Sequence, residues 1–173
     1  MHALKRFLRD RRGVAAVEFA LTLPVMLILY FGMVEATQAM LANRRSGYLT
    51  TAVGDLLTQQ AQVTPSQVED IFDAASAVLK PFPTEGLSVR LTSISIDANG
   101  RPSEEWTRAR GDIPPATLTD IDKKLLEPNS ALVRAETIYK FETPFKQVLP
   151  GVFTFKHRMD LRPRTGVPIP LTS

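Results

Sequence analysis

A glycine and a glutamate five residues apart carry the most specific chemistry in this sequence. Residues 11–24 read Arg11-Arg12-Gly13-Val14-Ala15-Ala16-Val17-Glu18-Phe19-Ala20-Leu21-Thr22-Leu23-Pro24. Basic residues run up to Gly13, four small apolar residues follow, and Glu18 is the single charge between Val14 and Val34. A carboxylate near bilayer hydrocarbon costs roughly 2–3 kcal/mol on insertion scales and usually has a partner. Cutting the chain after Gly13 would create one, because Val14 then gains an α-amine. Glu18 stands i+4 from that amine, one helical turn away. The amine can pair with this carboxylate or with that of a neighbouring subunit. The same cut removes the basic arm that holds the helix to one side of a membrane. Gly13, Val14, Glu18 and Phe19 therefore read as a processing-and-assembly signal.

Two elements must position these residues: a basic leader and an apolar helix. The chain has 173 residues and a formal net charge of +3. Five of its 21 basic residues and one of its 18 acidic ones lie in residues 1–13, leaving sixteen basic against seventeen acidic. The basicity belongs to the leader and does not form a nucleic-acid face. The 21 residues from Val14 to Val34 would span roughly 31 Å as a helix, about the thickness of a bilayer core. Positive charge ahead of the span places the N-terminus in the cytoplasm and the rest on the far side. Arg44 and Arg45 oppose this only weakly, being fewer and farther out. A cleaved secretory signal, with small residues at Ala36 and Ala39, remains an alternative, as do an uncleaved signal anchor and a twin-arginine signal at Arg11-Arg12.

The run Gly-x-Ala-Ala-Val-Glu-Phe-Ala-Leu-x-Leu-Pro resembles the TadE-like pseudopilins of the tight-adherence (Tad/Flp) pilus system, a branch of the type IV pilin-like proteins. The resemblance implies that Gly13 is the prepilin-peptidase cleavage position and that Glu18 governs processing or assembly. It further implies a structural role as a pseudopilin or minor pilin in pilus biogenesis and adherence. The implied partners are the prepilin peptidase, other pilin-like subunits and Tad inner-membrane assembly proteins. The implied location is the bacterial inner membrane, crossed once.

Pro24 lies inside the apolar helix, where it lacks an N–H and meets the carbonyl of Ala20, so a kink is expected. Thr22 is a candidate to satisfy the freed group. Gly32 would permit close helix contact. Beyond the span, Leu41, Tyr48, Ala52, Leu56 and Leu57 give a loose period near 3.6. Val34 to Gln60 thus reads either as a continuation of the membrane helix or as a separate amphipathic helix lying on the head.

The distal part reads as a small α+β domain. Thr64-Pro65-Ser66-Gln67 is a capping box with proline at the first helical position. Val68, Ile71, Phe72, Ala75, Val78 and Leu79 then form one apolar face, stopped by Pro81 and Pro83. Leu87 to Ile96 reads as a strand whose apolar phase switches near Thr92-Ser93, suggesting a bulge. Asp97-Ala98-Asn99-Gly100 is a hairpin turn, and Glu104 to Arg110 is the return strand with Trp106 as a packing anchor. The Asp-x-Asn-Gly turn followed by Trp-x-Arg-Ala also looks like TadE-like soluble domains. A short helix is expected within Leu118–Leu126. Ala131 to Glu142 and Val152 to Arg162 alternate as strands, with Arg134, Glu136, Lys140 and Glu142 on a polar face, and with Pro144, Pro150 and Gly151 between them. His157 falls on the apolar face as a packed sheet histidine.

The expected architecture is an N-terminal transmembrane, pilin-like helix followed by an extracytoplasmic antiparallel sheet of about four strands, one face covered by one or two helices. The divisions are a leader over 1–13, a span over 14–36, a helical extension or linker over 37–62, the α+β domain over 63–164 and a proline-rich extended tail over 165–173. Cysteine is absent, which excludes disulfides and thiolate metal sites, and the two histidines, His2 and His157, form no ligand cluster. Asp120, Asp122, Lys123 and Lys124 read as a solvated face. No phosphate loop, nucleophile elbow or zinc spacing is present. No catalytic residue, cofactor, metal or small-molecule substrate is therefore expected. The competing functional reading is a bitopic envelope binding module unrelated to pili.

Overall fold

The computed structural model describes residues 13–145 and 151–172. The basic leader before Gly13, and Pro150 in the connection, lie outside the described residues. Helix α1 runs unbroken over Val14–Thr58 and α2 over Pro65–Leu79. Four strands follow: β1 (Leu87–Ile96), β2 (Pro102–Arg110), β3 (Ser130–Glu142) and β4 (Val152–Leu161). They form one sheet in the order β2-β1-β3-β4, with every pair antiparallel. The fold is α+β, an apolar helix followed by a small domain with a four-stranded sheet and one more helix.

At 45 residues, α1 is roughly 68 Å long at 1.5 Å per residue. Every residue from Val14 to Tyr30 is exposed, and burial begins at Phe31. From there α1 lies against the sheet. The face it buries follows the expected apolar stripe only at Leu57. Tyr48 is 72% exposed, and Leu41 and Leu56 also point outward. The buried stripe is Ala39, Ala42, Ser46, Leu49, Val53 and Leu57. Its small residues let the helix axis approach the sheet. Gly54 shows how close: a Cβ there would stand 2.7 Å from Leu161 Cδ1 and 3.2 Å from Ala135 Cβ.

Helix α2 begins as its capping box dictates. The Thr64 amide donates to Gln67 Oε1 at 2.9 Å, and the Gln67 amide donates to Thr64 Oγ1 at 3.3 Å. Val68, Ile71, Phe72, Ala75 and Leu79 are buried against α1 and the sheet. Val78, expected on that face, is instead at its exposed margin. Arg110 on edge strand β2 ties the layers at their rim through Glu69 Oε2 (2.5 Å) and Asp73 Oδ1 (2.6 Å).

The β1–β2 hairpin closes through Asp97, whose Oδ1 accepts from the amides of Asn99 and Arg101, both at 2.8 Å. Gly100 sits at φ 75°, a conformation favouring glycine. The register does shift between Ser93 and Ile94, but the extra residue is Glu105 on β2. Strand β1 keeps an unbroken register with β3 across the same point. The switch of apolar phase along β1 has another cause. Val89 and Leu91 face the helices, whereas Ile94 and Ile96 join Leu132 and Ile121 in a second apolar cluster.

That second cluster corrects the expectation of one covered face. The segment between β2 and β3, including a single 3₁₀ turn at Lys123–Leu125, folds back over the other side. It also buries charge. Arg134 is fully buried, with Nε 2.6 Å from Asp160 Oδ1, Nη2 2.9 Å from Asp160 Oδ2, and Nη1 2.8 Å from Asp120 Oδ1. Arg90 pairs with Glu136 at 2.6 Å and donates to the carbonyl of Pro114. The alternation of Arg134 with apolar neighbours does not mark solvent; it marks a second, polar layer of core. Asp120 is exposed, as the solvated-face reading expects, and pairs from there with both Arg134 and Arg158.

The tail is extended and anchored. Val63 and Leu171 form a parallel bridge, and Ile169 is fully buried. Trp106 Nε1 donates to the carbonyl of Ile169 at 2.7 Å. The indole thus satisfies its polar edge while its ring packs in the core.

Candidate processing and assembly segment

Gly13 occupies the position before the first helical residue, with φ −82° and ψ −14° and no side chain to cap the helix. Among the described residues, a side chain there would meet nothing within 4 Å. Val14 then starts the helix and is half exposed. The helix spacing puts Glu18 one turn beyond Val14 on the same side. Glu18 and its neighbour Phe19 are both exposed. The Glu18 carboxylate thus projects from the helix one turn beyond the Gly13–Val14 bond.

The Thr22 hydroxyl donates to the carbonyls of Glu18 (3.0 Å) and Phe19 (3.2 Å). It does not reach Ala20, the carbonyl that Pro24 leaves without its helical donor. Pro24 is contained within the continuous helix. The apolar face around these residues is unpartnered in the monomer. The most apolar stretch of α1 holds no buried residue, and by length and composition the helix suffices to cross a bilayer. Residues of this kind are satisfied by lipid or by other apolar helices.

Residues 13–45 match the model of the TadE-like protein family. The TadE-like segment begins at Gly13 and ends at Arg45, so it holds the candidate cleavage residue, Glu18, Phe19, Pro24 and the first turns of α1 that meet the sheet. The hairpin with Trp106 lies outside it. No curated protein and no solved structure matches the chain. A TadE-like segment suggests a Tad pilus-related pseudopilin family, a structural and non-enzymatic kind of protein. The long apolar helix at the N-terminal end fits a single-pass membrane anchor.

The head contributes no comparable motif. His157, the histidine among the described residues, faces α1, where its Nε2 lies 2.9 Å from Asn43 Oδ1 and its ring packs beside Gly47. Among the described residues there is no group of three His, Asp or Glu suited to a metal. A shallow pocket of about 280 Å³ is lined by Arg90, Pro114, Glu136, Lys156 and Arg158, among others. Of its lining charges, Arg90 pairs with Glu136, and Arg158 pairs with Asp120 outside the lining. The Arg134 hydrogen bond and the nearby Arg158 hold the Asp120 carboxyl below its usual range. Burial acts to lower the Arg134 pKa, and the hydrogen bonds Arg134 donates to Asp160 and Asp120 overcome it, so the net shift is upward. Sequence patterning missed this network because an arginine in a strand alternation looks the same whether water or a folded-back segment covers it. The one available signal was the acidic Asp160 at the matching register of β4, opposite Arg134.

Proposed function

We propose that the chain is a pseudopilin or minor-pilin-like component of a Tad (Flp) pilus assembly system, matured by a prepilin peptidase that cuts after Gly13. The reading is carried by one observation: the TadE-like segment starts at the glycine that precedes an exposed apolar helix with a lone carboxylate one turn inside. In it, α1 crosses the bacterial inner membrane with its N-terminus cytoplasmic and the α+β head outside. Cleavage frees the Val14 amine, which pairs with Glu18 of the same or a neighbouring subunit and offsets the cost of a carboxylate in hydrocarbon. The exposed apolar surface of residues 14–30 then packs against other pilin-like helices, with Pro24 as the flexure that fits one to the next. The role is structural, with no catalytic step, cofactor or nucleic acid. Other Tad inner-membrane assembly proteins supply the remaining contacts, and the outcome for the cell is adherence.

N-terminal sequencing of the protein extracted from membranes tests the processing step. The expected first residue is Val14. A chain beginning at Met1 would overturn the maturation step and favour a bitopic envelope module, whereas a start near residue 40 would mark a released, secreted domain.

A further inference from the structure

The head does not stand clear of the apolar span; it overlaps the span's outer end. Burial of α1 begins at Phe31, three residues before the apolar run ends at Val34, and Glu35 just beyond is fully buried. The residue that meets Phe31 lies three residues past the end of β3. Phe145 lies with its ring centroid 5.0 Å from that of Phe31 and is still 43% exposed.

The register of β4 along α1 explains why this end of the sheet reaches so far down. The strand runs in the same direction as the helix, with His157 beside Asn43 and Leu161 against Gly54. Five residues back along β4 is roughly 17 Å at 3.3 Å per residue. The same length of helix is about eleven residues, which carries Asn43 back to the level of Gly32. Val152, the first residue of β4, therefore sits level with the last turn of the span, and it is 51% exposed. Two separate observations, a ring contact and a strand register, bring Phe145 and Val152 to the same depth. On the helix, that depth is about 4–5 Å inside the outer end of the apolar run. Tyr30, also exposed there, is the amphipathic aromatic expected at such a boundary.

We infer that Phe145 and Val152, at the β3–β4 end of the sheet, form a second membrane contact that inserts into the outer lipid surface beside Phe31. The inference rests on the reading of Val14–Val34 as the membrane span. The occupant is lipid, because the apolar surface of Phe145 is continuous with that of the helix already facing hydrocarbon. Aqueous exposure of these side chains would require the span to sit shallower than its apolar length dictates. The contact makes the head and the helix one body at the membrane surface. It sets how deeply α1 sits and prevents the head from swinging about the residues around Glu35.

The chain has no cysteine, so single nitroxide labels can be placed cleanly. Full-length variants Leu23→Cys, Phe31→Cys, Phe145→Cys, Val152→Cys and Leu56→Cys are reconstituted in phosphatidylcholine/phosphatidylglycerol vesicles. Collision with oxygen is compared with collision with a nickel chelate. Labels at 145 and 152 are expected to show an oxygen-to-nickel ratio several-fold above that at 56 and close to that at 31. A ratio at 145 and 152 equal to that at 56, with 23 and 31 in lipid, overturns this inference alone. Shielding of 145 from both reagents marks a protein contact and overturns it as well. A water-like ratio at 23 removes the spanning reading and this inference together. Phe145→Trp keeps a ring against Phe31 where the cysteine variant fails to fold. Lipids brominated on their acyl chains are expected to quench its added emission, and an unquenched signal sinks the proposal.

Discussion

His157 Nε2 and Asn43 Oδ1 stand 2.9 Å apart and join β4 to the helix that emerges from the apolar span. The pair sits between Thr50, which bonds Thr137 on β3, and the Phe31–Phe145 contact lower down. Helix and sheet are thus attached at several heights. A double-mutant cycle of Asn43→Ala and His157→Ala, followed by chemical denaturation in micelles, should give a coupling of about 0.5–1.5 kcal/mol. Strict additivity would show that the bond contributes nothing to the docking of α1.

At Gly54 the helix backbone lies close against the sheet. Any β-carbon there meets both Leu161 and Ala135. The Leu161 methyl can move, but the Ala135 Cβ is fixed to a central strand. Gly54→Val is therefore expected to lower head stability by about 1–3 kcal/mol despite removing a helix glycine. Gly47, whose β-carbon would meet the His157 ring at 3.4 Å, should tolerate alanine far better. Equal denaturation midpoints for Gly54→Val and the parent would contradict this packing.

Arg134 is buried between two carboxylates, and removing it strands Asp160, whose side chain is only 10% exposed. Arg134→Ala should cost roughly 3 kcal/mol or more, whereas Arg134→Met with Asp160→Leu should recover much of the loss. The same network predicts acid sensitivity. Arg134, and after it Arg158, hold the folded Asp120 below the ordinary 3.8. Its contribution is fully present above that value and is lost as pH falls through the lower folded pKa. Thermal melts should therefore drop below about pH 4 in the parent and less steeply in Asp120→Asn.

Tyr139 donates its hydroxyl to the carbonyl of Pro83 at 2.9 Å. Burial, with Glu85 nearby, pushes its pKa up to about 12 from an ordinary 10.0. Its contribution is complete below pH 10.0 and is lost as pH rises through about 12. Phenolate absorbance should show a late component that disappears in Tyr139→Phe. The same late component persisting in that variant would assign it to another tyrosine.

Glu18→Ala removes the proposed partner of the Val14 amine without removing apolar length. Membrane insertion should persist while pilus output falls, as judged by fractionation and by counting surface filaments. Normal piliation in that variant would refute the amine–carboxylate pair. Glu18→Asp, with the same charge one methylene shorter, should lie between the two.

Local signals were legible because their physics is local. The Gly13–Glu18 spacing stands out since the single charge in a largely apolar run of 21 residues is costly wherever that stretch goes, and the family match falls on the same segment. The Thr64 capping box and the Asp97–Gly100 turn are set by bonds within four residues, and both form as their residue types dictate. The strands followed from alternation. What alternation cannot convey is which layer covers each face. Leu41, Tyr48 and Leu56 stay exposed, while the docked stripe mixes Ala39, Ala42 and Ser46 with Leu49, Val53 and Leu57, because close approach needs small side chains between the large ones. Arg134 has the pattern of a solvent-facing residue and is fully buried, because a segment distant in sequence brings Asp120 over it. The sequence by itself determined the helix, the strands, their caps and the charged residue set inside the apolar run. Only the tertiary structure decided which sides meet, since burial depends on residues that the chain brings together from far apart. It also decided that the end of the sheet comes down to Phe31.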